Sequence, residues 1–428
     1  MTLLAHSSRA TSSRPDLHRW PDLALPPSGP RTSLGAALAR RFFVWAFSRM
    51  PVTVRLHEPG GVRTLGRGGP TMDVLRPDEL FARIGRDANI GFGEAYMAGA
   101  WEAEDLQAFL HVPASRMDAL MPPLVHRLRR LVAPRIGRHQ RGGATDTRDN
   151  VARHYDLSNG LFEQFLDPTM TYSSGWFRTD REGEPIVGDD LQAAQHRKID
   201  ALLDAAGVGD GTRLLEIGTG WGELALRAAR RGATVRSLTL SVEQQELART
   251  RIAAAGLLDR VTVDLLDYRE VDGLYDAVVS VEMIEAVGWR HWDEYFATIA
   301  RILAPGGRAT IQAITMPHER MLASRDTDTW ITRYIFPGGF LPSLEALGDA
   351  AGTSGLVMRV NAALGHHYAE TLRQWDASFV DHEDAVAALG FDETFRRMWH
   401  FYLSYCGAGF DADYIDVHQL VLSREGLR

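Results

Sequence analysis

The stretch RLLEIGTGWGELALRAAR, residues 213–230, decides the fold class of this sequence. A short apolar run leads into a loop with glycine at positions 218, 220 and 222, and a segment of helical periodicity begins at Glu223. Glycine has no Cβ and accepts positive φ, so such a loop lets backbone N–H groups approach a ligand closely. The stretch therefore predicts a strand, a ligand-binding turn and a helix within an α/β sheet.

Strand-like and helical segments alternate from Leu191 onward. Further strands are predicted at residues 234–240, 261–266, 275–283 and 308–314, with helical segments between them. This alternation is typical of βαβ units, and we predict a Rossmann-like parallel sheet with helices on both faces. The ligands of such sheets bind at the carboxyl ends of the strands.

The glycine loop favours S-adenosylmethionine over a dinucleotide. Glu223 stands where the dinucleotide fingerprint requires its third glycine. The acidic Glu216 before the loop suits the amino-acid portion of S-adenosylmethionine. Ser241, after the second strand, fits either a bond to the ribose or a cap on the next helix, and Asp267 with Tyr268 is placed to contact the adenine.

The composition is that of a globular protein with an uneven distribution of charge. Of the 428 residues, 45% are apolar and 24% charged, which excludes the disordered and collagen-like classes. Cys406 is the only cysteine, so an internal disulfide is excluded and a reducing cytoplasm is expected. Residues 1–150 carry 21 Arg against 14 Asp and Glu, whereas the remainder carries 26 basic and 41 acidic residues. The cationic N-terminal third suits an anionic lipid surface, with a merely solvated basic face as the alternative.

Other function classes receive less support from the sequence. No run approaches the roughly 18 to 20 apolar residues of a membrane span. The His and Asp residues show no metal-ligand spacing. Six arginines in residues 127–141 are too local for a nucleic-acid groove, and the Asn/Asp-Pro-Pro-aromatic motif of base-methylating enzymes is missing. We therefore predict no metal and no nucleic-acid partner.

Many motifs, in the same order along the chain, resemble the cyclopropane-fatty-acid synthase family of S-adenosylmethionine-dependent lipid methyltransferases. The motifs are HYDLSN at 154–159 with Phe162, YSS at 172–174, EIGTGWG at 216–222, TLSVEQQ at 239–245, VEMIEAVG at 281–288, YIFPGGFLP at 334–342 and YLSYCGAGF at 402–410. Segments 19–21, 90–97, 311–317 and 367–372 are similar to the actinobacterial branch that forms 10-methylene-stearoyl chains in the tuberculostearic acid pathway.

The resemblance implies a class I methyltransferase fold and a reaction. The methyl group of S-adenosylmethionine is transferred to the cis double bond of oleoyl-type phospholipid acyl chains through a carbocation, and a methylene-branched chain results. Formation of a cyclopropane ring is the alternative, a soluble or carrier-bound acyl substrate is another, and a catalytically silent lipid-binding subunit is more remote. The enzyme is expected to be a cytoplasmic homodimer, peripherally bound to the inner face of the membrane, with a separate flavin- or nicotinamide-dependent reductase acting on its product.

The resemblance also implies site residues, with a bound bicarbonate ion as the proton acceptor. The implied catalytic residues are Glu285, Tyr368, Gln312, Ser174, Ile314 and Tyr155. The predicted cofactor residues are Tyr155, Ser158, Tyr172, Ser173, Glu216, Gly218, Thr219, Gly220, Gly222, Thr239, Leu240, Ser241, Gln244, Asp267, Tyr268 and Glu282. Gln312 and Ser174 stand where many ring-forming members have His and Cys, and we hypothesise that glutamine holds bicarbonate less tightly and delays proton capture in favour of the branch.

Four segments are predicted along the chain. Residues 1–30 form a disordered tail, 31–125 a smaller α+β domain that contacts lipid, 126–148 an arginine-rich linker, and 149–428 the methyltransferase domain with acyl-binding insertions. Residues 33–50 are predicted to form a helix buried on two sides, because apolar side chains lie on opposite faces of its helical wheel. The alternative is a helix at a bilayer interface, which its aromatic and arginine content would suit.

Overall fold

The computed structural model describes residues 14–116, 158–325 and 327–424. The chain divides into two compact units. The N-terminal unit comprises Met1–Pro134 with Gly390–Tyr405, and the C-terminal unit comprises Arg135–Leu389 with Cys406–Arg428. Residues 390–405 thus group with the N-terminal segment rather than with the predicted methyltransferase segment, and the predicted linker at 126–148 lies outside the described residues.

The N-terminal unit contains a four-stranded sheet in the order β2-β1-β3-β4. Its strands are β1 (Thr53–Glu58), β2 (Gly61–Gly66), β3 (Thr71–Val74) and β4 (Trp101–Ala103). Its first helices are α1 (Pro21–Ala24), α2 (Pro30–Phe47), α3 (Pro77–Asp87), α4 (Asn89–Met97) and α5 (Leu106–Ala114). Helices α2 and α3 meet at a glycine pair, since a Cβ on Gly35 would lie 2.7 Å from the carbonyl oxygen of Gly85.

Part of the predicted N-terminal tail is folded in the structure. Leu23 on α1 is buried, and its carbonyl oxygen accepts a hydrogen bond of 2.6 Å from the fully buried Arg83. The Trp20 indole N–H donates to Asp392 at 2.9 Å. The prediction of disorder is therefore wrong for this stretch. Its composition is typical of a disordered tail, but hydrogen bonds to remote residues hold it in place.

Helix α2 is buried on one side only, which corrects the prediction of burial on two sides. Phe43, Ala46 and Phe47 are buried. The opposite side chains form the exposed face of α2 and are Leu34, Leu38, Phe42 and Trp45, which are 67%, 62%, 54% and 44% exposed. Apolar periodicity marked both faces, but only the packing against neighbouring elements decides which face is covered.

The C-terminal unit contains a seven-stranded sheet in the order β10-β11-β9-β8-β5-β6-β7. Its strands are β5 (Arg213–Ile217), β6 (Thr234–Thr239), β7 (Val261–Leu265), β8 (Tyr275–Val281), β9 (Leu303–Thr315), β10 (Leu356–Ala363) and β11 (Asp416–Arg424). Strands β5 to β9 are parallel, as predicted, whereas β11 runs antiparallel to both of its neighbours, so the sheet is mixed.

The remaining helices belong to this unit, apart from the first part of α17, which falls in the N-terminal unit. They are α6 (Asn159–Phe162), α7 (Leu191–Ala206), α8 (Glu223–Arg230), α9 (Val242–Ala254), α10 (Ile284–Val287), α11 (Trp292–Ile302), α12 (His318–Ser324), α13 (Trp330–Tyr334), α14 (Leu344–Thr353), α15 (Gly365–Asp381), α16 (Glu383–Ala388) and α17 (Glu393–Asp411). In the described segments, no helix combines the length and apolar composition that a membrane span requires.

Two hydrophobic cores lie on the two faces of the seven-stranded sheet. Leu214 on β5 belongs to the core that also contains Leu202 of α7. The next residue, Leu215, belongs to the core that also contains Phe296 of α11 and Leu347 of α14. Successive side chains of a strand point to opposite faces, so this division confirms the predicted α/β architecture with helices on both sides.

Candidate active site

A cavity lies at the carboxyl ends of β5, β6 and β8 in the C-terminal unit. Of the predicted cofactor residues, its lining contains Tyr172, Ser173, Glu216, Gly218, Thr219, Gly220, Thr239, Leu240, Gln244, Tyr268 and Glu282. Strand β5 lies between β6 and β8, so the chain crosses over in opposite directions on its two sides. Open α/β sheets bind their ligands in the crevice at this switch point.

The glycine loop is shaped by the segment that follows β8. Gly218 has a φ of 96°, and a Cβ on it would lie 2.6 Å from the Met283 side chain. Its N–H and that of Thr219 both donate to the carbonyl oxygen of Leu238 at 3.0 Å. The loop therefore needs glycine at position 218 for its backbone conformation and for its packing against Met283.

Glu216 at the end of β5 is buried beneath the loop. Burial raises its pKa to about 8, and the Ser237 hydroxyl donates a hydrogen bond to its carboxylate. The Ser237 hydroxyl is also 2.7 Å from the Thr219 hydroxyl. These contacts hold Glu216, the first acidic residue of the motif, in the wall of the cavity.

Several predicted cofactor residues do not line the cavity. Ser241 caps α9, because its hydroxyl accepts from the Gln244 N–H at 3.2 Å. Asp267 binds Arg269 through both carboxylate oxygens, at 2.9 and 2.6 Å. Gly222 and Ser158 are the N-cap residues of α8 and α6, and Tyr155 lies outside the described residues.

The structure adds lining residues that the sequence prediction did not include. Lys198, Trp221 and Met283 are among them. Lys198 on α7 is fully buried, and its ammonium group donates to the Ser173 hydroxyl at 2.5 Å. Burial lowers its pKa to about 8, while the charges of Glu282, Asp167 and Glu216 oppose that change. Lys198 is the only lysine in the chain, and this was the one feature of the sequence that could have marked it as a site residue.

Three of the implied catalytic residues surround Glu282 rather than Glu285. The Glu282 carboxylate accepts hydrogen bonds from the Ser174 backbone N–H at 3.0 Å, the Gln312 side-chain amide at 2.8 Å and the Tyr368 hydroxyl at 2.7 Å. The same side chain lines the cavity at the carboxyl ends of β5, β6 and β8. Glu282 therefore connects the cavity to the group of donors that the resemblance assigns to an anion.

Glu285 has a different environment three residues further along. Its carboxylate accepts from the Ile314 backbone N–H at 2.5 Å, and its second oxygen has no hydrogen-bond partner among the described residues. Burial, reinforced by the charge of Glu282, raises the pKa of Glu285 to about 8. The Glu285 carboxyl is therefore predominantly neutral at pH 7.

Aromatic rings pack around Tyr368, the tyrosine whose hydroxyl donates to Glu282. The Tyr368 ring stacks on Phe410 with a centroid distance of 4.6 Å, and Tyr172 stacks on Trp375 at 5.2 Å. Trp375 also meets Tyr368 edge to face at 6.1 Å. Such rings exclude water and stabilise a nearby cation by roughly 1 to 2 kcal/mol each.

Bicarbonate, which the resemblance implies, does not fit the donors as they stand. The Ser174 N–H, the Gln312 amide and the Tyr368 hydroxyl already donate to the carboxylate of Glu282. A second anion at the same donors would bring two negative charges together in a buried place, which is costly. No group of three or more side chains suited to a metal ion occurs in the described part of the chain.

Comparison with known proteins decides the family. Residues 143–420 match the family model of mycolic acid cyclopropane synthetase. The chain belongs to this family. The tuberculostearic acid methyltransferase UfaA1 of Mycobacterium tuberculosis is 51% identical over 99% of this chain and 100% of that protein. The cyclopropane-fatty-acyl-phospholipid synthase of Escherichia coli is 32% identical over 86% of this chain and 92% of that protein.

A solved structure of a mycolic acid cyclopropane synthase agrees with the fold. The mycolic acid cyclopropane synthase CmaA1, complexed with SAH and CTAB, has a TM-score of 0.58 and 33% identity. The matched region spans 64% of this chain and 97% of the CmaA1 chain. The protein described here is therefore an S-adenosylmethionine-dependent methyltransferase of the cyclopropane fatty acid synthase type, with the class I methyltransferase fold.

Proposed function

We propose that this methyltransferase acts on the cis double bond of oleoyl-type phospholipid acyl chains and produces a 10-methylene-branched chain. The observation that carries the proposal is a buried carboxylate, Glu282, which lines the cavity and accepts a hydrogen bond from Tyr368, whose ring stacks on Phe410. An alkene attacking a sulfonium methyl group needs no side-chain nucleophile, but its carbocation needs a dry enclosure and one base. The 51% identity to a tuberculostearic acid methyltransferase favours the branched product over the ring.

The single cysteine supports chemistry without a covalent intermediate. Burial raises the pKa of the Cys406 thiol to about 12, so it is protonated at neutral pH. A protonated thiol is a poor nucleophile. The reaction is therefore best supported as direct transfer from S-adenosylmethionine to the alkene, in which the residues of the cavity orient the cofactor and exclude water.

The test uses the purified protein with S-adenosylmethionine and dioleoyl phospholipid vesicles. We expect proton NMR of the released fatty acids to show vinyl protons of an exocyclic methylene. Distearoyl vesicles, which have no double bond, are the control and should give no product. High-field cyclopropyl protons would instead support the alternative, a cyclopropane synthase like the Escherichia coli relative.

We further propose that the exposed face of α2 rests on the inner membrane surface. Leu34, Leu38, Phe42 and Trp45 offer an apolar stripe, and the Arg49 guanidinium lies over the Trp45 ring at 5.0 Å. The helix sequence has no acidic residue. Exposed apolar and aromatic side chains on a basic helix favour the headgroup region of anionic bilayers.

Vesicle flotation tests this membrane contact. Replacing Phe42 and Trp45 together by Ser should weaken binding to anionic dioleoyl vesicles at least tenfold, since two aromatic anchors are lost. The matched control is Val62→Ser, which removes one exposed apolar residue from β2. Equal binding of the double variant and the wild-type protein would contradict the proposed contact.

Two partner assignments complete the proposal. A methylene branch can be saturated only with a hydride donor, so a separate flavin- or nicotinamide-dependent reductase is expected to act on the product. A homodimer would place two basic surfaces on one membrane and increase avidity. Analytical ultracentrifugation tests the homodimer directly, and a monomer at micromolar concentration would contradict it.

A further inference from the structure

The Glu282 carboxylate holds the place where the resemblance puts a bicarbonate ion. Its donors are the Ser174 N–H, the Gln312 amide and the Tyr368 hydroxyl. We propose that Glu282 replaces bicarbonate in this enzyme and is itself the proton acceptor of the reaction, an inference that rests on the proposed function. It also revises the role of Glu285, which the resemblance implies for holding the anion.

The three donors are committed to Glu282 by their own geometry. A backbone N–H and a tyrosine hydroxyl each have one proton to donate. The Gln312 side-chain oxygen accepts from the Gln419 amide at 3.2 Å, so its NH₂ group faces Glu282. Gln419 also donates to the Lys198 carbonyl oxygen at 3.3 Å, which fixes the direction of this chain of amides.

The backbone at Glu282 is in a conformation that non-glycine residues rarely adopt. Its φ is 52°, in the left-handed region, and its N–H donates to the Gln312 carbonyl oxygen at 2.8 Å. Such a conformation persists only where surrounding contacts impose it, and it is concentrated at functional sites. Here it turns the carboxylate between the cofactor cavity and the three donors.

A buried positive charge accompanies the carboxylate. Burial raises the pKa of Glu282, while the charge of Lys198 and the three hydrogen bonds lower it. Lys198 is linked to the donor segment through its hydrogen bond to the Ser173 hydroxyl. In its ionised form, a buried carboxylate whose pKa is raised is a stronger base than one in water.

The proposed step is balanced in atoms and electrons. The π electrons of the alkene form a C–C bond to the methyl group, and the C–S bond breaks with its electron pair on sulfur. The neighbouring carbon becomes a cation, and a hydride shift moves the positive charge to the methyl-bearing carbon. A C–H bond of the methyl group then breaks, its electrons form the exocyclic C=C bond, and Glu282 takes the proton.

The experiment compares the wild-type protein with Glu282→Gln in bicarbonate-free buffer and in the same buffer with bicarbonate added. S-adenosylmethionine and dioleoyl vesicles are the substrates, and the methylene product is quantified by NMR. We expect wild-type turnover to agree within twofold in the two buffers. We expect Glu282→Gln to lower kcat at least 100-fold while its Kd for S-adenosylmethionine stays within fivefold.

A control and a rescue separate loss of the base from loss of the fold. Glu246→Gln, on the exposed side of α9, is the matched control and should keep wild-type kcat. Glu282→Ala opens space at the donors, and added formate or bicarbonate should raise its turnover at least tenfold. A misfolded variant would show no such rescue, and the bicarbonate test on the wild-type protein needs no variant.

Two results distinguish the possible failures. Wild-type turnover that falls tenfold without bicarbonate and recovers when it is added would overturn the role of Glu282 alone. Retention of a third of wild-type kcat by Glu282→Gln would do the same. Absence of any methylated acyl product from the wild-type protein in both buffers would overturn the proposed function itself.

Discussion

Two turns at neighbouring strand ends build the site in opposite ways. The glycine turn, residues 216–222, follows β5 and reaches positive φ at Gly218, Gly220 and Gly222. The carboxylate turn, residues 281–288, follows the adjacent β8 and reaches positive φ not only at Gly288 but also at Glu282, a non-glycine residue. The conformation of the first turn follows from its glycine residues, whereas that of the second depends on partners from distant parts of the chain. A motif therefore reveals the first turn, and only the assembled fold reveals the second.

The largest expected effect tests how the two turns pack together. Gly218→Ala should lower the free energy of unfolding of the cofactor-free protein by roughly 3 kcal/mol, through positive φ and overlap with Met283. Gly220→Ala, which meets nothing within 4 Å, should cost about 1 kcal/mol. Denaturant unfolding measures both changes. Adding Met283→Ala should restore part of the loss at position 218, and no restoration would contradict this packing.

The next effect concerns the pH dependence of the carboxylate turn. The pKa of Glu285 is about 8 in the folded protein, above its unfolded value of about 4.5, so its contribution to stability is lost as pH rises between these values. Glu285→Gln removes this titration. The wild-type protein should therefore lose roughly 3 to 4 kcal/mol relative to Glu285→Gln between pH 5 and 8.5. Parallel stability curves for the two proteins would contradict the buried neutral carboxyl.

A smaller effect links the two turns through Lys198. Its positive charge lowers the pKa of Glu282, so Lys198→Gln should move the acidic limb of the kcat profile about one pH unit higher. Ser173→Ala is the matched control, because it removes the Lys198 hydrogen bond but keeps the charge. An unchanged acidic limb in Lys198→Gln would contradict the claim that the charge of Lys198 lowers the pKa of the proposed base.

The smallest effect separates a helix cap from a cofactor contact. Ser241→Ala should lower the free energy of unfolding by about 1 kcal/mol, because the N-cap of α9 is lost. The Kd for S-adenosylmethionine should change less than twofold, as Ser241 does not line the cavity. A tenfold loss of affinity, measured by calorimetry, would instead support a hydrogen bond from Ser241 to the ribose of S-adenosylmethionine.

Sequence patterns predicted the parallel strands of the sheet better than its antiparallel strand and the N-terminal segment. Alternation of strands and helices gave the parallel strands β5 to β9, because each βαβ unit is a local pattern of about 30 residues. The antiparallel direction of β11 was missed, since it depends on pairing with β9 across about 100 residues of chain. Folding of the segment around Leu23 was missed because Arg83 and Asp392, which bind it, are remote in sequence.

Predictions for the site divide in the same way. Residues adjoining a strand end, such as Glu216, Thr239 and Tyr268, line the cavity because strand topology alone brings them together. Asp267 also follows a strand, but the neighbouring Arg269 takes its carboxylate. Lys198 was missed because it lies in the middle of α7, where no motif distinguishes a cavity residue from a core residue.

The sequence by itself determined the glycine turn, the family and the residue types available for methyl transfer. Those properties depend on local spacing and on the steric freedom of glycine. The tertiary structure decided that Ser174, Gln312 and Tyr368 donate to Glu282 and that Ile314 donates to Glu285. Hydrogen bonds and desolvation depend on three-dimensional distance, so two glutamates three residues apart in one motif acquire different environments.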